Sequence, residues 1–132
     1  MKVFFDTNIW IAAFVSPGAC SELLDHCLLN HSLLTSQQIL HEILDKLMNK
    51  LHFSKDNVGL FLEFIRENAC LVDVKLPIPS ICRDPDDNGI LAAGRNGGSD
   101  CLISGDSDLL ALKNFDGIPV IKPSDFWRFE QT

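Results

Sequence analysis

The chain has 132 residues, 46% of them apolar, and a formal net charge of −7. That length suits one ordinary domain, residues 1–132, with enough apolar surface to form a core without disulfides or a structural metal. No apolar run reaches the length of a bilayer span, and Asp6 interrupts any signal-peptide core, so a cytoplasmic protein with no membrane partner is expected.

The acidic balance sits awkwardly with nucleic-acid binding, which ordinarily shows a basic footprint. It is reconciled if divalent cations offset the acids locally, or if the eleven Lys and Arg gather on one face. The five cysteines, Cys20, Cys27, Cys70, Cys82 and Cys101, include no Cys-x-x-Cys pair. They read as small buried hydrophobes in a reducing compartment. The histidines have no ligand spacing: His26 and His31 are five apart, His41 and His52 eleven apart. They read as surface or boundary residues.

Lys2–Phe5 is a short buried strand. Asn8 offers an N-cap for a helix from Ile9 toward Val15, which Ser16-Pro17-Gly18 ends. Ser21–Leu29 is helical, Leu33–Thr35 a strand, and Gln37–Leu51 a long helix. Lys55–Asn68 is another helix, and Cys70–Val74 alternates like a strand before the loop Pro77-Ile78-Pro79. Asp84 then Pro85 pairs an N-cap with proline at the first helical position; that helix runs to about Asn96 and stops at Gly97-Gly98. Cys101–Ser104 is a strand, Leu109–Leu112 one helical turn, and Pro119–Ile121 a last strand; Phe126 and Trp127 clamp the terminal segment to the body. Strands alternating with helices imply βαβ units, that is, an α/β protein with a parallel sheet and helices on both faces. Such sheets bind ligands outside the carboxyl ends of their strands.

Four acids stand where elements change. Asp6 follows the first strand and Asp106 follows Cys101–Ser104; if those strands are neighbours, their backbones are about 5 Å apart and one cation can serve both carboxylates. Asp87 is three residues after Asp84, where a capping-box acid would also stand. On a helical wheel it falls between Ile90 and Leu91, with the apolar face, which favours a site over solvent. Glu42 lies roughly 150° from the centre of the stripe Ile39, Leu40, Ile43, Leu44, Leu47, Met48, Leu51, so pattern alone reads it as solvated helix surface. Asp108 is a further candidate, equally at home as a cap or in solvent. Clustered carboxylates repel one another, and a bound divalent cation is the usual reason to gather them. That chemistry points to a metal-dependent hydrolase, a nuclease in particular.

Phe5-Asp6-Thr7-Asn8, the Glu42 helix, Asp84-Pro85-Asp86-Asp87-Asn88-Gly89-Ile90-Leu91 and Ile103-Ser104-Gly105-Asp106-Ser107-Asp108, in this order and spacing, resemble the PIN-domain family. Within it the likeness is to VapC-related toxin components of bacterial toxin–antitoxin systems. The resemblance runs from residue 2 to about 127 and implies a three-layer α/β/α fold with a parallel sheet of order 3-2-1-4-5. It implies Mg²⁺- or Mn²⁺-dependent cleavage of an RNA substrate, and a small antitoxin as partner. Residue by residue, it places Asp6, Glu42, Asp87 and Asp106 as the catalytic and metal-binding acids. Thr7 and Ser104 match small polar positions that support such a site; Asn8 and Asp108 complete the supporting set. Gly94 departs from the family pattern, which has Ala there.

Arg83 and Lys113 are the first candidates for RNA phosphate contacts. The long helix Gln37–Leu51 with Phe53 and Phe61 offers a docking or homodimer surface, with core packing the favoured reading. The alternatives are a phosphotransfer enzyme of the haloacid dehalogenase type, which needs a second Asp where Asn8 stands; a receiver domain, whose acidic pair and late Lys are not matched; and a PIN-like scaffold that binds RNA or protein without cutting.

Overall fold

The computed structural model describes residues 1–75 and 78–131, so Pro77 of the expected Pro77-Ile78-Pro79 loop lies outside the described residues. Strand β1 (Lys2–Phe5) carries Val3, Phe4 and Phe5, none of them exposed. Successive strand residues point to opposite faces, so both faces of β1 are covered. The same holds for Leu33–Ser36 of β2 (Ser32–Ser36) and for the whole of β4 (Cys101–Ile103). This is the burial signature of a parallel sheet sandwiched between helices.

Strands β3 (Ala69–Val72), β2, β1, β4 and β6 (Ile118–Ile121) are hydrogen-bonded in that order, each neighbouring pair parallel. With the last strand counted fifth, this is the expected 3-2-1-4-5. The addition is β5 (Asn114–Phe115), antiparallel at the edge beside β6. Its hairpin turns through Asp116 (φ 50°) and Gly117 (φ 84°). Asp-Gly with both residues at positive φ is the two-residue turn that matches strand twist. The dipeptide was legible, but two residues are too short for an alternation signal.

Helix α1 (Thr7–Val15) starts two residues before the expected Ile9, because Asp6, not Asn8, is its N-cap. Helix α2 (Ala19–Asn30) leads into β2. Helix α3 (Gln37–Asp45) is capped by Ser36 Oγ, which accepts from the Ile39 N–H at 3.3 Å. The expected helix to Leu51 instead leaves α geometry at Lys46 and makes a π turn, Lys46–Lys50, closed by the Leu51 N–H donating to the Lys46 carbonyl at 3.0 Å. Helix α4 (Lys55–Asn68) matches its expected bounds and buries Val58, Phe61, Leu62 and Ile65, the i, i+3, i+4, i+7 stripe of an amphipathic helix. Each contributes about 1.5–3 kcal/mol by leaving water. Phe14 stacks on Phe61 at 4.3 Å between ring centroids and contacts Phe53 at 5.6 Å, so these rings belong to the core rather than to an open docking face.

Helix α5 (Pro85–Asn96) begins as expected at the Asp84 cap and Pro85, and its chain leaves through Gly98 at φ +67°. Helix α6 (Ser107–Leu112) is capped by Asp106. A 3₁₀ turn (Pro123–Asp125) precedes α7 (Phe126–Glu130), whose Phe126 is fully buried while Trp127 stays 39% exposed, so Phe126 alone anchors deeply. Among the described residues no helix is long and apolar enough to cross a membrane. All five cysteines are free; Cys27 and Cys101 are buried and Cys70 is exposed, against the expectation that every one is buried.

Candidate functional site

Phe5 pairs with Ile103 across β1 and β4, so the residues that follow each strand emerge side by side. The Asp6 N–H donates to the Ile103 carbonyl at 2.9 Å. The Asp6 carboxylate then accepts from the Thr7 N–H at 2.7 Å and, through its other oxygen, from Ser104 Oγ at 2.8 Å. Ser104 Oγ in turn accepts from the Asp106 N–H at 3.0 Å. One buried hydroxyl therefore fixes both acids at the carboxyl edge of adjacent strands.

The second wall is α3. Thr7 Oγ1 donates to one oxygen of Glu42 at 2.5 Å, and Gln38 Nε2 donates to the other at 2.8 Å. Gln38 Nε2 also donates to the Asp86 carbonyl at 2.8 Å, tying α3 to the start of α5. The third wall is that start. Asp84 caps it by accepting from the Asp86 N–H at 3.0 Å. Buried Asn88 holds the approaching loop, its Oδ1 accepting from the Ile81 and Cys82 N–H groups at 3.1 and 2.9 Å.

Asp6, Glu42, Asp87 and Asp106 thus line one cleft, together with Thr7, Asn8, Asp45, Lys46, Lys50, Asp84 and Asp86. Oxygens of Asp87, Asp106 and Asp108 can all lie within 4.8 Å of one another. Burial raises the Asp6 carboxyl above the ordinary aspartate range; the Ser104 and Thr7 hydrogen bonds oppose this, and the Glu42 and Asp106 charges add to it. Desolvation, a hydrogen bond to Asp106, and the Asp106, Asp84 and Asp6 charges push the Asp87 carboxyl up to about 7. Crowding of carboxylates disfavours their charged forms, and a divalent cation would relieve that repulsion. Oxygen donors alone, carboxylates foremost, suit a hard divalent ion such as Mg²⁺ or Mn²⁺.

Glu42 differs from its wheel reading. Glu42 is half-buried rather than free in solvent, because α1 and α5 converge on its side of α3 and make it a wall of the cleft. Lys46 and Lys50 line the cleft without having been singled out in the sequence, and Gln38, which lines the neighbouring groove, holds Glu42 from behind. Their signal was the four-residue spacing 38, 42, 46, 50, one face of a helix. The wide π turn counters the drift of that spacing around an α-helix and returns Lys50 to the cleft.

Asn8 accepts from Lys46 Nζ at 3.1 Å at the cleft rim. Arg83 grips both oxygens of Asp108, at 3.0 and 2.9 Å, and neither Arg83 nor Lys113 is among the lining residues. A neighbouring groove on the far flank of Glu42 and Gln38 carries His41 and Arg66.

An acid-lined cleft at the carboxyl edge of a covered parallel sheet, built on βαβ units, defines the class: an α/β protein equipped to hold a hard cation. The PIN domain family model matches residues 2–108, and the chain belongs to that family. A chain in the crystal structure of VapBC2 from Rickettsia felis bound to a promoter DNA fragment superposes with a TM-score of 0.66 at 14% identity, covering 92% of this chain and 98% of that one. A chain in the structure of FitAB bound to the IR36 DNA fragment gives 0.58 at 17% identity, covering 92% and 94%. At these identities the likeness establishes the fold. No curated protein is significantly similar in sequence.

Proposed function

We propose that this chain is a ribonuclease that hydrolyses RNA phosphodiester bonds with a divalent cation, and that it is the toxin of a toxin–antitoxin pair acting in the cytoplasm. The observation that carries the reading is the convergence of Asp6, Glu42, Asp87 and Asp106 from four separate elements, with oxygens of Asp87, Asp106 and Asp108 within 4.8 Å of one another. Asp6, Asp87 and Asp106 would hold Mg²⁺ or Mn²⁺, with Glu42 a direct or water-mediated ligand. When bound, the ion supplies Lewis acidity toward the phosphodiester and makes hydroxide available near neutral pH.

The protein's own part is preorganisation. Ser104 aims Asp6 and fixes Asp106 from one hydroxyl. Thr7 and Gln38 occupy both oxygens of Glu42 and keep it turned inward. Lys46 and Lys50 at the rim supply positive charge for RNA phosphates; Arg83 and Lys113 are outlying candidates, Arg83 after release from Asp108. The likeness to chains of the VapBC2 and FitAB structures supports a small antitoxin as partner. A homodimer is part of the same reading.

The test is incubation of purified protein with RNA in Mg²⁺, Mn²⁺ or EDTA, beside Asp6→Asn and Asp106→Asn. Cleavage with metal, none in EDTA, and none by either variant is expected. Full cleavage by Asp6→Asn, free of contaminating nuclease, removes Asp6 from the site. No cleavage together with no metal-induced rise in melting temperature leaves the non-catalytic scaffold.

A further inference from the structure

The four histidines, without ligand spacing in the sequence, do not all stay apart in space. His26 lies on α2, His31 at the α2–β2 junction, and Glu130 is the last residue of α7. Nε2 of His26 and Nε2 of His31 both meet the same oxygen of Glu130, at 2.5 and 2.6 Å, across 104 and 99 residues of chain. Donor atoms of all three can lie within 4.8 Å of one another. His26 and His31 are boundary residues, as expected, and His41 and His52 are exposed; the meeting of the first two is what their spacing did not show.

We propose that His26, His31 and Glu130 form a second metal site, distinct from the acidic cleft, that takes a nitrogen-preferring divalent cation of the Zn²⁺ class. Two imidazoles and a carboxylate are a donor set for Zn²⁺, Co²⁺ or Ni²⁺, whereas Mg²⁺ selects oxygen donors. Tetrahedral bonds of about 2.0–2.1 Å set neighbouring donors roughly 3.3 Å apart. The two Nε2···Oε2 contacts are each less than about 1 Å short of that, so Glu130 has to withdraw to admit an ion between itself and the rings. It sits at the end of a five-residue helix, where that movement disturbs no further element.

The surroundings fit a held ion. Side chains of His26, His31 and Glu130 are 28%, 10% and 26% exposed, so water can reach a fourth position. His31 packs edge-on against Phe126, and His26 against Trp127, which fixes both ring planes. Each Nδ1 has its own polar neighbour: Asn30 Nδ2 at 3.3 Å from that of His26, and the Met1 amino group at 3.2 Å from that of His31. Coordination takes the Nε2 position, and the neutral ring then carries its proton on Nδ1. The bound ion would tie α7 to α2 and the start of β2, and so staple the end of the chain to the body.

The test uses an Asp6→Asn/Asp106→Asn/Cys70→Ser background, so that neither the cleft nor the exposed thiol competes. At about pH 8, where free imidazole is neutral, Zn²⁺ is titrated calorimetrically and Co²⁺ by its visible absorption. One equivalent of Zn²⁺, a tetrahedral Co²⁺ spectrum and a raised melting temperature are expected, with no response to Mg²⁺. Glu130→Gln and His31→Gln should each weaken Zn²⁺ binding by about 100-fold or more. No Zn²⁺ binding by the folded background protein overturns the proposal, as does binding of unchanged strength in Glu130→Gln. Glu130→Gln keeps an oxygen acceptor for the two rings on a terminal helix, so it serves if His31→Gln fails to fold.

Discussion

Replacing Asp87 by Asn removes the raised Asp87 carboxyl while leaving the rest of the cleft in place. The Asp87 carboxyl is lifted from 3.8 to about 7, chiefly by desolvation and then by Asp106. A shift of roughly three units corresponds to about 4 kcal/mol. Asp87 is only partly buried, and solvent screening brings this to about 2 kcal/mol. The folded chain binds this proton more tightly than the unfolded chain, so stability falls as pH rises from about 4 to about 7 and stays reduced above. Asn carries no charge, and its amide can still donate to Asp106. In EDTA, Asp87→Asn is therefore expected to be about 1–3 kcal/mol more stable than wild type near pH 8 and equal to it near pH 4. At roughly 3–5 °C per kcal/mol for a chain of this size, the difference is also visible in melting temperature. Urea unfolding at the two pH values measures it. A variant no more stable than wild type near pH 8, or one that gains equally near pH 4, would refute the reasoning.

A Cβ at Gly89 would fall 2.0 Å from Gln38 Oε1, so Gly89→Ala must push Gln38 off Glu42 and the Asp86 carbonyl. Ala gains about 1 kcal/mol of helix propensity and the lost hydrogen bonds cost about as much; chemical denaturation should show little change while RNA cleavage drops severalfold. Lys46→Ala/Lys50→Ala should weaken RNA binding and lower the slope of log K against log salt by about 1–2, read by fluorescence anisotropy across a salt series. An unchanged slope would place the phosphate contacts elsewhere. At Gly94 a Cβ would meet Leu102 Cδ1 at 3.4 Å, an ordinary contact, so Gly94→Ala should stabilise by about 0.5–1 kcal/mol in thermal unfolding.

Much of the framework was written in local chemistry. The Asp84-Pro85 start, the apolar stripe of Lys55–Asn68 and the unbroken apolar strand ahead of Asp6 each depend on neighbours within a turn or two, and each reappears in the fold. The placement of acids after β1 and β4 was legible for the same reason: a strand's end is a local event. What lay beyond the sequence was which faces meet. Glu42 stands on the polar side of its helix, and only the packing of α1 and α5 turns that side into a cleft wall. The π turn that returns Lys50 to the cleft adds one residue to a turn and leaves no periodic trace. His26, His31 and Glu130 share no spacing at all; they meet because α7 folds back over α2 at the end of the chain. Local hydrogen bonding and propensity act over a few residues, whereas convergence across a hundred is decided by how the layers pack, and that is a property of the tertiary structure alone.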